Sequence, residues 1–183
     1  MIGSIIICCM AVAVCAEDVI VPNKTYKTSS SSGRYFIEMI PKTDYGEDGE
    51  GLVTRYDSDK VLWRVDWFSW LVVLCNDGTH LARLGDWSTD RENLTDLAVA
   101  FYEKDKLIRK YLVKDLIKNR SKLELTSSHY FWKANVSTVP FGFSKDNKAF
   151  NLTTIDGSVY EFDASTGHII STRKDPGVKG YLQ

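Results

Sequence analysis

From Arg34 onward, short apolar runs alternate with turn-forming residues at intervals of roughly eight to twelve positions. That rhythm predicts many short strands joined by tight turns. Arg34 to Ile40 alternates well enough for a first strand. The one helical stretch is Tyr111 to Lys118, with Leu112, Leu116 and Ile117 apolar and Lys114, Asp115 and Lys118 polar. The prediction is a mainly β fold of antiparallel meanders, about eight to eleven strands, with one short helix near 111–118.

The last hairpin can be set in register from side-chain faces alone. A two-residue turn at Asp156-Gly157 would place Leu152 opposite Glu161. A three-residue turn, with Gly157 left-handed, places Leu152 opposite Tyr160 and Phe150 opposite Phe162. The second gathers four apolar side chains on one face and should win.

One pattern recurs along the chain. Tyr56-Asp57-Ser58-Asp59-Lys60-Val61-Leu62, Tyr102-Glu103-Lys104-Asp105-Lys106-Leu107-Ile108 and Phe162-Asp163-Ala164-Ser165-Thr166-Gly167-His168-Ile169-Ile170 each run from an aromatic and an acid through a polar turn into branched apolar residues. The aromatics are 46 and 60 residues apart, the range of four-stranded repeat units. The stretch Phe143 to Leu152, continuing into Asp156-Gly157, Phe162-Asp163 and Thr166-Gly167, resembles a blade of the quinoprotein-like and WD-type β-propellers. Trp70 to Ile108 resembles a more divergent blade with an insertion around Gly85-Asp86-Trp87. Cys75-Asn76-Asp77-Gly78, Leu84 to Trp87, Leu97 to Tyr102, Asp115-Leu116-Ile117 and Ser127 to Trp132 also resemble a group of secreted bacterial proteins. The resemblance implies blade-like meanders and no particular activity. The tryptophan that closes a quinoprotein blade is absent after Ile170, where Ser171 and Thr172 stand, so no quinone cofactor is implied. Three such units are too few for a closed propeller of four to eight blades, so the sheet edges need another cover.

The N-terminus reads as an address. Ile5 to Val14 carries no charge, and Val14-Cys15-Ala16 offers slender side chains before Glu17. Residues 1–16 are therefore expected to be a signal peptide, too short for a membrane span. Residues 17–33 read as a flexible lead-in, 34–172 as a single β-rich domain and 173–183 as a loose tail. Secretion, or a periplasmic or cell-surface location, follows as the expectation. The mature chain would keep only Cys75 of four cysteines, so no internal disulfide would support it. Asn-X-Ser/Thr occurs at Asn23, Asn93, Asn119, Asn135 and Asn151, where about one is expected by chance. Those five are the N-glycosylation candidates of a glycosylating host.

The formal charge of −1 argues against a nucleic-acid binder, which normally shows a basic excess to meet phosphates. Cys75 and His80 would face each other if Asp77-Gly78 were a two-residue turn, a thiol–imidazole arrangement. A buried inert thiol is the competing reading, because Cys75 ends the apolar run Leu71 to Leu74. His129, Tyr130, Trp132 and Trp87 are candidate ligand contacts, through a polar ring beside stacking aromatics; the alternative is a packed histidine and core tryptophans. Asp44, Glu47, Asp48 and Glu50 crowd a Gly-rich loop, with Asp44, Asp48 and Glu50 the candidate Ca²⁺ ligands; a solvated loop is the competing outcome. No cofactor motif is present in the sequence. The leading expectation is a non-enzymatic exported module presenting a surface to a protein or carbohydrate partner. The alternative is a secreted hydrolase using His129 with a nearby acid or nucleophile. The sequence leaves the oligomeric state open.

Overall fold

The computed structural model describes residues 21–85 and 88–181. The expected signal peptide and Trp87 lie outside them. Three sheets share one plan, a four-stranded antiparallel meander. The first contains β1 (Tyr26–Ser29), β2 (Tyr35–Pro41), β3 (Gly49–Arg55) and β4 (Ser58–Val65). The second contains β5 (Val72–Leu74), β6 (His80–Leu84), β7 (Leu97–Glu103) and β8 (Lys106–Leu112). Next come α1 (Val113–Leu116), a 3₁₀ turn at Arg120–Lys122, and a ribbon of β9 (Glu124–Leu125) and β10 (Tyr130–Phe131). The last sheet contains β11 (Gly142–Phe143), β12 (Ala149–Thr153), β13 (Ser158–Asp163) and β14 (Ile169–Lys174). Fourteen strands form among the described residues, more than expected, because pairs as short as β9, β10 and β11 carry too few residues to show alternation.

The three recurring segments sit at one structural place, the hairpin from third to fourth strand of each sheet. A second repeat lies in the hairpin from first to second strand. Ser30, Cys75 and Ser144 each accept a bond from the amide three residues on, and each donates to the carbonyl five residues on. The amides they accept from belong to Gly33, Gly78 and Asn147, all left-handed at φ 70°, 72° and 62°. Glycine and asparagine are the residues that tolerate this conformation best.

The sheets stack face on face. β7 is apolar along its length because both of its faces are covered. Val99 and Phe101 join Ala82 and Leu84 against Phe150, Leu152, Tyr160 and Phe162 of the last sheet. Ala100 and Tyr102 join Leu74 and Leu81 against Ile37, Met39, Val53 and Val65 of the first. Phe101 lies edge-on to Phe150 at 5.5 Å. In the last sheet Leu152 opposes Tyr160 and Phe150 opposes Phe162, around a turn with Gly157 at φ 78°.

The helix is one turn rather than two. Tyr111 and Leu112 belong to β8, and Val113 and Leu116 fill the core. It ends because the Lys118 and Asn119 amides donate to Asp156 Oδ2, at 2.7 and 2.8 Å, instead of to helical carbonyls. β1 falls inside the segment read as a lead-in. The tail also packs: β14 runs to Lys174, Asp175 is buried, and Lys179 bridges to Val136. Among the described residues no helix is long and apolar enough to cross a membrane.

Candidate functional site

A cleft of about 880 Å³ opens where the first sheet, the second sheet and the β9–β10 ribbon meet. The first sheet contributes Tyr45 and Glu47 from the β2–β3 loop; the second contributes Leu84 and Leu97 at adjoining ends of β6 and β7. Trp70 and Leu71, just before β5, form another wall. His129, Tyr130, Phe131, Trp132 and Lys133 come from the ribbon, and Tyr181 closes the rim. Three of the expected ligand contacts, His129, Tyr130 and Trp132, thus line one cavity.

Each is held by its own neighbours. Trp132 is 4% exposed and belongs mainly to the core shared with the last sheet. Tyr130 donates its hydroxyl to Asp96 Oδ2 at 2.9 Å. Burial, reinforced by the adjacent Asp96 carboxylate, pushes the Tyr130 phenol well above its usual range. Asp96 Oδ2 also accepts the Asp90 amide at 2.8 Å. His129 is buried, with Nδ1 at 2.9 Å from Thr126 Oγ1 and 3.3 Å from Ser128 Oγ. Its ring stands edge-on to Phe131 at 4.7 Å. Asp96 is bonded to Tyr130 and a backbone amide, and Nδ1 of His129 faces the Thr126 and Ser128 hydroxyls.

The rim is aromatic and more exposed. Trp70 is 41% exposed, stacked parallel to Tyr26 at 6.4 Å and edge-on to Phe68 at 5.5 Å. Tyr181 stacks on Phe131 at 4.4 Å, and its amide donates to Glu124 Oε2 at 2.7 Å. Lys133 Nζ lies 5.8 Å from the Tyr181 ring centroid. Asn23 donates to the carbonyls of Thr43 and Gly46, holding the β2–β3 loop at the mouth. Glu47 forms an ion pair with Arg83, whose guanidinium lies 4.5 Å over Trp67. Asp96, Tyr45 and Tyr181 escaped the sequence reading. The first two carry no motif, and Tyr181 sits in a stretch whose Pro and Gly content suggested a loose tail.

The other candidates lie apart from this cleft. Cys75 and His80 do oppose each other, since Leu74 pairs with Leu81 and the Cys75 amide donates to the His80 carbonyl. The His80 ring turns to Asp77, with Nδ1 at 2.6 Å from Oδ2. Cys75 is fully buried, and burial pushes its thiol up to about 11. A thiol so far from ionised at neutral pH is a poor nucleophile. Asp44, Asp48 and Glu50 stay on the β2–β3 loop and the start of β3; among the described residues no three His, Cys, Asp or Glu side chains group to hold a metal ion.

No protein-family model and no curated protein matches the chain. Among solved structures, the β-propeller domain of Cps50 (Swd1) from Myceliophteria thermophila is similar at 14% identity, with a TM-score of 0.41. The match covers 81% of this chain and 40% of that one, so this chain spans less than half the length of its structural neighbour.

Proposed function

We propose that the protein is an exported, non-enzymatic interaction module that seats an extended apolar segment of a protein partner in the cleft. Export is supported by the charge-free run Ile5 to Val14 and the slender residues before Glu17. One observation carries the choice of ligand. The walls are mainly apolar and aromatic, while Asp96, His129, Asn23 and Glu47 are already bonded within the protein. A sugar needs convergent hydrogen-bonding groups turned toward its hydroxyls. An apolar side chain needs desolvating walls and rigid aromatic contacts, such as Trp70 and the Phe131–Tyr181 stack provide.

A displayed peptide library tests this reading. Selection on the purified protein should enrich sequences with aromatic or large aliphatic anchors, and Trp70→Ala and Tyr181→Ala should each abolish that enrichment. Enrichment that survives both substitutions would move the site elsewhere. Glycan-array binding lost in the same variants would reassign the cleft to carbohydrate.

A further inference from the structure

Three stacked sheets leave two outward faces, and these differ in character. On the last sheet the outward face carries Asn151, Thr153, Val159 and Glu161, because Phe150, Leu152, Tyr160 and Phe162 point inward. The chain covers part of it: Ser137 Oγ lies 2.9 Å from both Thr153 Oγ1 and Asp175 Oδ2, and Val159 is 2% exposed. On the first sheet Ile37, Met39, Val53 and Val65 point inward. Alternation therefore sends Phe36, Glu38, Ile40, Leu52, Thr54 and Arg64 outward. The second sheet packs on the opposite side, and among the described residues no further strand or helix packs substantially over this one.

Two opposite charges on that face lie symmetrically about Leu52, and Lys27 on β1 lies beyond one of them, with its Nζ 5.1 Å from the Phe36 ring centroid. Lys27 pairs with Glu38, Glu38 with Leu52, and Leu52 with Arg64, so these four residues form one row across β1 to β4. Strands about 4.8 Å apart place Glu38 and Arg64 at equal distances on either side of Leu52. Among the described residues neither takes part in an ion pair. A half-turn about the axis of β3 exchanges the two sides of the row. We infer that the outward face of the first sheet is a two-fold interface with a second copy of this chain, with Leu52 on the partner's Leu52 and Glu38 against the partner's Arg64. An isologous contact requires a self-complementary patch of this kind. Leu52 at the centre and the neighbouring Phe36 and Ile40 supply the apolar area of the contact. The inference is independent of what occupies the cleft.

Sedimentation of the purified protein tests it. The expected species has twice the chain's mass at micromolar concentration. Arg64→Glu sets like charges against each other in both Glu38–Arg64 pairs across the interface and should weaken association at least ~10-fold. Leu52→Glu should leave a monomer. The double variant E38R/R64E reverses both ends of each pair and should re-associate. Circular dichroism of the variants should match the parent, since these side chains lie outside the core. A monomeric parent would overturn the inference, as would association unchanged by R64E or a double variant no tighter than R64E alone.

Discussion

Replacing Asp156 with alanine should detach the helix from the last sheet. Its Oδ1 accepts the Thr154 hydroxyl at 2.7 Å and the Ser158 amide at 3.1 Å. Its Oδ2 accepts the Lys118 and Asn119 amides at 2.7 and 2.8 Å. Bonds to an ionised acceptor contribute roughly 1.5–3 kcal/mol each when shielded, but water replaces part of the loss at a half-buried group, so a total near 2–3 kcal/mol is expected. At roughly 2–4 °C per kcal/mol for a domain of this size, the midpoint of thermal unfolding should fall by about 5–10 °C. Burial alone would push this carboxyl up; the bonds from Thr154, Asn119 and Lys118 outweigh it and hold the group at about 2, against an ordinary 3.8. A carboxyl depressed in the folded state stabilises fully above its unfolded value and loses that contribution as pH falls through its folded value. The charge-dependent part, up to about 2.5 kcal/mol from the shift and nearer 1 after solvent screening, should therefore fade between about pH 5 and pH 2. Urea unfolding of parent and variant across that range measures it. A difference below about 0.5 kcal/mol at pH 7, or one that stays constant down to pH 2, would refute the reasoning.

Three further outcomes follow from named contacts. Cys75 should resist alkylation in the native protein at neutral pH and react quickly once urea exposes it, because burial holds the thiol near 11; rapid native labelling would revive the Cys75–His80 pair. Expressed in a glycosylating host, the protein should carry glycans at the exposed Asn93, Asn119 and Asn135. Asn23, whose amide nitrogen is bonded to two carbonyls, and half-buried Asn151 in β12 should stay bare, as peptide mass mapping would show. Gly85→Ala would set a methyl carbon 1.7 Å from the Leu97 carbonyl oxygen. It should destabilise by at least ~3 kcal/mol or prevent folding, read as lost soluble yield and a lowered unfolding midpoint.

The sheets were legible where burial is one-sided or complete. The Phe150–Phe162 and Leu152–Tyr160 pairs followed from alternation and a glycine turn, and the unbroken apolar run of β7 reflects a sheet covered on both faces. The short strands and the helix end were not, because they depend on partners distant in sequence. The helix stops at a carboxylate nearly forty residues downstream, and Tyr181 is ordered by Phe131 and Glu124. The site was legible in part. His129, Tyr130 and Trp132 were recognisable as an aromatic cluster, but Trp70, Tyr45 and Leu97, which line the same cleft, share no motif and lie far from it in sequence. The Cys75–His80 juxtaposition was geometrically sound, and the Asp77 side chain that diverts the imidazole lies within the same turn.

The central claim is that the aromatic cleft holds an apolar peptide. A crystal structure of the protein with a library-selected peptide tests it most directly. The account predicts an anchor side chain of the peptide seated between Trp70 and the Phe131–Tyr181 stack, with Asp96 still bonded to Tyr130. A peptide bound along an outer strand such as β14, with the cleft unchanged, would contradict it.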